Sequence, residues 1–296
     1  MNLILPRYFN VNSIGDFIRP ILKIKDTQLP EEVTIDFSKV IFIDPVGVTV
    51  LSNILEYLKK RRINFKFSNY KNNSEPIRFL DDSLFFLEYV GNKIHSSSTV
   101  RSTTLQLKKI EMEESYQWIE TLFLPWIKRE IGYEKKLKLE MIKVCLMEIF
   151  NNIRDHSGEN IGCLFAQHFP NRGIVNIAIS DFGVGIPFNV RKMNPSMKDS
   201  EAIKLAAQEG FSTKTNPQNR GAGLDILIKN TISHQSDKIS IFSNYGILHV
   251  YKSKDGEDII FKPVKNTLFF YPGTLLNIEV QTDLFIGDEE EEDFQW

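Results

Sequence analysis

The chain has 296 residues, of which 42% are hydrophobic and 25% charged, and a formal net charge of −2. That is the composition of one large globular domain or two medium ones. A charge this close to zero gives no support for nucleic-acid binding as the main job.

The opening "MNLILPRYFN" lacks the charged start, long apolar run and small-residue cleavage site of a secretory leader, so none is expected. Residues 1 to about 95 alternate strand and helix. "VTIDF" (33–37) and "VIFID" (40–44) are short, β-branched strands. The apolar run "VIFIDPVGVTVL" is broken by Asp44 and Pro45 and is too short to span a bilayer. Apolar residues at helical spacing, ending in a basic turn, predict a helix over 46–62. "INFKFSN" (63–69) alternates like a half-buried strand, and 75–91 reads as short helical turns closed by Gly91. The polar, Ser/Thr-rich "NKIHSSSTVRSTT" (92–104) reads as the boundary between two domains, with a linker over 96–114, and a paired edge strand would have the same look.

Residues 115–156 read as two helices split near "GYEKKLK". From 160 onward come strands: "GCLFAQHF", "GIVNIAISDF" and, after a long irregular region, "KISIFSN", "GILHVYKS", "DIIFKPV" and "GTLLNIEV". Helices followed by an antiparallel-looking sheet make an α/β sandwich. The acidic run within 287–296 is a solvated tail. The two cysteines, Cys145 and Cys163, give no disulfide framework; both are expected to be core residues in a reducing cytoplasm.

One helix carries more polar chemistry than a core helix needs. In "CLMEIFNNIRDHSG" (145–158), Glu148, Asn152, Asp155 and His156 fall within about 100° on a helical wheel. Asn152 suits a hydrated Mg²⁺, which takes few protein ligands and keeps its other contacts for phosphates and water. Glu148, one turn earlier, is placed to orient or deprotonate a water or hydroxyl. In "AISDFGVGIP" (178–187), Asp181 ends a strand and Gly183 and Gly185 follow. A carboxylate there accepts a hydrogen bond from an amino group on a flat ring, and the glycines leave room for that ring. In "NRGAGLDILIKN" (219–230), Gly221 and Gly223 lie directly before a helical run, where backbone N–H groups bind phosphate. Lys214, in the polar loop between, reaches toward a phosphate. The sequence contains no P-loop pattern and no His/Cys set with zinc spacing.

These motifs, in this order, resemble the GHKL ATP-binding domain over residues 115–286. "EIFNNIRDHS" is similar to its N-box, "DFGVGIP" to the first glycine box and "GAGLDIL" to the second. "GFSTK" followed by "NRGAGL" resembles the lid of histidine-kinase domains, and "YPGTLLNIEV" (271–280) the closing Gly-Thr strand. The resemblance implies an α/β sandwich with a mixed sheet. It implies Glu148 as the general base or water-orienting carboxylate and Asn152 as the Mg²⁺ ligand. Asp181 would take the adenine amino group, with Gly183, Gly185 and Ile186 lining the base. Lys214, Gly221, Ala222, Gly223 and Leu224 would form the phosphate-facing lid edge. Thr274 would help hold an adenine-bound water, and Asp155 or His156 would lie near ribose or phosphate.

Residues 1–95 resemble a STAS domain, the fold of bacterial anti-sigma antagonists, through "VTIDFSKVIFIDPVGVTVLSNIL". The family's phosphorylated serine precedes a glycine. Here Val46 stands before Gly47, and Asp44-Pro45-Val46-Gly47 has no hydroxyl, so a phosphoswitch at this loop is not expected.

Both modules in one chain imply an Mg-ATP-binding regulatory protein of the partner-switching kind. It would act as an ATPase or protein serine/threonine kinase that controls a protein partner through its STAS-like half. The alternatives are a nonhydrolysing, nucleotide-gated interaction protein and a mechanical ATPase that dimerises on ATP. The mechanical class carries a transducer domain after the ATPase, whereas only a short acidic tail follows Thr274 here. A sensor histidine kinase needs a phosphoaccepting His on a helix before the domain, and His95 sits in no such pattern. Expected ligands are ATP and Mg²⁺. The expected partner is a protein, with no nucleic acid and no membrane, and a homodimer fits the class.

Overall fold

The computed structural model describes residues 1–22, 29–111, 114–132, 137–156, 161–208, 223–265 and 269–287. In chain order its elements begin with β1 (Asn2–Ile4), β2 (Tyr8–Phe9), α1 (Ile14–Leu22), β3 (Glu32–Asp36), β4 (Phe42–Ile43), α2 (Pro45–Lys60), β5 (Asn64–Ser68), α3 (Glu75–Asp82) and α4 (Phe85–Val90). Then follow β6 (Thr104–Glu111), α5 (Ser115–Trp118), a π-helical turn at Ile119–Phe123, α6 (Leu124–Ile131), α7 (Glu140–His156), β7 (Ile161–Phe169) and β8 (Ile174–Asp181). The last are α8 (Ile186–Arg191), α9 (Asp199–Ala206), α10 (Gly223–Thr231), β9 (Lys238–Asn244), β10 (Gly246–Lys252), β11 (Ile259–Pro263) and β12 (Tyr271–Gln281). No described helix is long and apolar enough to cross a membrane.

The protein is a mixed α/β structure built on a large antiparallel sheet. That sheet has seven strands in the order β11-β10-β9-β12-β8-β7-β6. Every pairing within it is antiparallel, so it is not the mixed sheet expected. Parallel pairing belongs to the first third of the chain, where β1, β3 and β5 form one small sheet and β2 and β4 a second.

Strand alternation gives the large sheet two faces, and both are covered. Leu164, Ala166, Val175, Ile177, Ile179, Ile239, Ile241, Leu276 and Ile278 point into a core with α6, α7 and α10. The intervening Phe165, Ala178, Phe242 and Leu275 point into a second core with the first third of the chain. Each residue of β8 is buried as a result, including Asn176 and Ser180. A strand with both faces covered loses the polar-out alternation of a half-exposed antiparallel strand.

Helix α2 supplies most of the covering. Asp44 caps it, accepting from the Gly47 N–H at 2.9 Å, and Pro45 takes the first helical position, where a missing N–H costs nothing. A side chain at Gly47 would meet the Phe9 carbonyl oxygen at 2.4 Å, so only glycine lets the helix start this close to β2. Twelve of its sixteen residues are buried, among them Thr49, Ser52 and Asn53, because it packs against β5 on one side and β7 and β8 on the other.

The stretch taken as a linker at 96–114 is in part a strand. Thr104–Glu111 forms β6 and pairs with β7 at the sheet edge. The Ser/Thr-rich run before it is pinned down. Buried Asp81 accepts from the N–H groups of Ile94 and His95 and from the Ser98 hydroxyl, and Arg101 bridges Glu75 and Asp82. The polar residues that suggested a solvated connection are instead satisfied by α3. The region read as irregular after β8 holds α8 and α9. Helix α9 packs on β10 and β11 through Ile203. Cys145 and Cys163 are buried and free of disulfides, and burial pushes the Cys145 thiol up to about 11, which keeps it protonated. Residues 288–296 of the acidic tail lie outside the described residues.

Candidate functional site

Helix α7 answers the demand of its sequence for two faces. Ile142, Cys145, Leu146, Ile149, Phe150 and Ile153 recur at three- and four-residue steps and are buried against the sheet. Glu148 and Asn152, four residues apart on the other side, are half-buried. Helix α10 packs across α7 at this point. A side chain at Gly223, the first residue of α10, would lie 2.8 Å from Asn152 Nδ2 and 3.2 Å from Glu148 Cβ. Glycine is what lets the start of α10 approach the carboxylate and the amide so closely. The first N–H groups of a helix have no acceptor within it, and those of α10 start beside the Glu148 carboxylate and the Asn152 amide. The Leu224 side chain leaves the corner and packs, partly buried, on the sheet core.

A second cluster forms where β8 ends. Asp181 is 3% exposed and pairs in register with Thr274 of β12. Both stand on the face that carries α7 and α10, by alternation from Ile179 and Leu276. The Asp181 carboxylate accepts from the Gly183 N–H at 2.6 Å. Gly185 has φ +82° and precedes α8, whose first residue is Ile186. A side chain at Gly185 would meet Ser243 Oγ at 2.7 Å.

Two residues that sequence reasoning passed over hold this turn. The Ser243 hydroxyl donates to the Gly273 carbonyl at 2.6 Å, accepts from the Ile186 N–H at 2.9 Å and lies 3.3 Å from Thr274 Oγ1. Gly273 has φ +77° at an irregularity in the β12–β9 register. A side chain there would fall within 2.6 Å of the Asp181 carboxylate. The Gly273-Thr274 pair in "YPGTLL" signalled the second; nothing in "IFSNYG" marks Ser243.

The oxygen donors fit an ATP–magnesium ligand in kind. An amide and a carboxylate beside a glycine-spaced helix start suit a hard cation with phosphates, and the glycine-lined carboxylate suits an amino-bearing ring. Among the described residues no three His, Cys, Asp or Glu side chains converge as a metal site. Asp155 and His156 continue α7, with side chains outside the described residues; Lys214, Gly221 and Ala222 lie outside them altogether. Comparison with known proteins finds no matching family model and no matching curated protein.

Proposed function

We propose that the chain is an Mg-ATP-binding regulatory protein of the GHKL class, in which the nucleotide controls a protein partner through a STAS-like N-terminal half. The observation that carries this reading is the seating of Gly223 on Glu148 and Asn152. Residues some seventy positions apart in sequence, each singled out by its own motif, are in van der Waals reach of one another. The Asp181–Gly183 contact and its register partner Thr274 supply the second pole of a nucleotide site.

In this reading Asp181 accepts from the adenine amino group, and Gly183, Gly185 and Ile186 flank the base. Asn152 offers its amide oxygen to Mg²⁺, the α10 N-terminus and the lid edge face phosphate, and Glu148 orients or deprotonates the attacking group. The bound metal ion supplies neutralisation of phosphate charge. The three-stranded parallel sheet with α2 beside it supports the STAS-like assignment. Val46, where that family carries its phosphorylated serine, is fully buried and apolar, so regulation runs by some means other than phosphorylation there. Two buried cysteines, neither of them in a disulfide, suit a cytoplasmic location.

Incubation of the purified chain with Mg²⁺ and γ-labelled ATP tests the reading. Label that reaches free phosphate or protein, and stops doing so in Glu148→Ala without loss of ATP binding, makes it an ATPase or a kinase. Label retained on ATP that is bound makes it a nucleotide-gated switch. ATP that is neither bound nor consumed overturns the proposal.

A further inference from the structure

Asp181 is held from behind. Ser180 and Phe182 flank it in the chain and, by alternation, stand on the opposite face of the sheet, the face that α2 covers. Helix α2 engages both. Thr49, Asn53 and Tyr57 form a stripe at four-residue steps along it, pointing at β8. The Thr49 hydroxyl donates to the Ala178 carbonyl at 3.3 Å. The Asn53 amide donates to Ser180 Oγ at 2.9 Å. The Tyr57 ring meets the Phe182 ring edge-on, with centroids 5.3 Å apart, and the Arg61 guanidinium lies 4.5 Å over the same Tyr57 ring.

Tyr271 closes the arrangement. Its hydroxyl bonds Ser180 Oγ, and its ring lies 5.6 Å from that of Phe182. Burial raises the Tyr271 hydroxyl well above its ordinary range, and the Asp181 charge adds to the shift, so it stays protonated and available as a donor. Asn53, Ser180, Asp181 and Tyr271 are all at most 4% exposed. Water therefore offers Asn53, Ser180 and Tyr271 no replacement partner, and a side chain removed from these three leaves its neighbours to shift.

We propose that α2 of the N-terminal half sets the position of Asp181, with Asn53 and Tyr57 as positioning residues that govern how well the site selects an adenine amino group. The proposal rests on the reading of Asp181 as the adenine contact. It gives the N-terminal half a physical route to the nucleotide. Whatever shifts α2 along β8 shifts the strand that carries Asp181, and by linkage nucleotide must bias the seating of α2.

The test compares Mg²⁺-ATP with Mg²⁺-purine riboside triphosphate, which lacks the amino group, in equilibrium titrations. A hydrogen bond to a charged group discriminates by about tenfold or more, so the wild type is expected to prefer ATP by about that factor. Asn53→Leu keeps the volume and removes the donor. It is expected to cut the preference below about threefold while leaving affinity for the amino-less analogue unchanged. Tyr57→Leu, which removes the ring that meets Phe182, is expected to shift the preference the same way. A general loss of fold would weaken both ligands together. Two further outcomes separate the proposal from the reading beneath it. If the wild type prefers ATP and Asp181→Ala, which has no acceptor, abolishes that preference, but both α2 variants retain it, the α2 proposal is overturned alone. If the wild type binds ATP without preference, or Asp181→Ala leaves the preference intact, the assignment of Asp181 fails and the proposal falls with it.

Discussion

At the scale of single residues, Asp44 carries the clearest electrostatic signature. Burial, with a smaller contribution from the Glu279 charge, pushes its carboxyl up to about 7. The group is raised in the folded state, so its contribution to stability is full below its unfolded value near 4 and is lost as pH rises through about 7. The wild type is therefore expected to lose stability relative to Asp44→Asn across that window, by on the order of 2 kcal/mol once residual solvent screening is allowed for. Asparagine caps a helix as well as aspartate, so the cap itself survives the change. Denaturant midpoints measured against pH for both proteins check this, and parallel curves would refute it. The sequence marked Asp44 as a break in an apolar run and as part of the loop before Gly47, not as a titrating group. Its raised proton affinity comes mainly from burial, with a smaller contribution from Glu279 more than two hundred residues away, and no local pattern carries either. Glu148, Asn152 and Asp181 were legible because each lies in a short motif whose spacing alone puts it on one helix face or at a strand end. Ser243 was not legible, because its role depends on three partners from α8 and β12.

At the scale of elements, the packing of α10 on α7 decides whether the two motifs work together. Gly223→Ala improves helix propensity, so the helix is expected to persist. The added methyl group must displace the Asn152 amide or push α10 away from Glu148, since the gap to Nδ2 is 2.8 Å. Mg-ATP affinity is therefore expected to drop about tenfold with the melting temperature nearly unchanged, because small displacements of positioned groups are costly. A titration paired with thermal melting checks this; unaltered affinity would mean that this corner is not where phosphate and metal sit. The long strands β7 to β10 and β12 were legible from their apolar content, and α7 from its period. The two-residue strand β2, and the helices α8 and α9 in a polar stretch, were not, since tertiary contacts rather than local preference hold them, whereas β4 lies within the strand read at 40–44. Strand β6 was mistaken for a linker for the same reason.

At the scale of the whole molecule, the two halves expected from sequence share a core. Phe79 of α3 meets Phe165 of β7 edge-on at 5.8 Å, and Phe165, Ala178, Phe242, Tyr271 and Leu275 of the large sheet are buried with the apolar residues of the N-terminal third. The alternation of strand and helix in the first third and the helices followed by an antiparallel sheet after it were readable from local pattern. Their contact was not, because a strand buried on both faces and a helix buried on both sides announce that something covers them without saying what. The stripe of Thr49, Asn53 and Tyr57 becomes meaningful only once β8 lies against it. On the proposed reading, a nucleotide site on one face of the sheet and the N-terminal third of the chain on the other are separated by a single layer of strands. The central claim is that this sheet presents a magnesium-dependent ATP site. Calorimetric titration of ATP into the full chain, with and without Mg²⁺ and repeated on Asn152→Ala, tests it most directly. The account predicts saturable, Mg²⁺-dependent binding to the wild type that Asn152→Ala abolishes. No binding to the wild type, or equal Mg²⁺-dependent binding to both proteins, would contradict it.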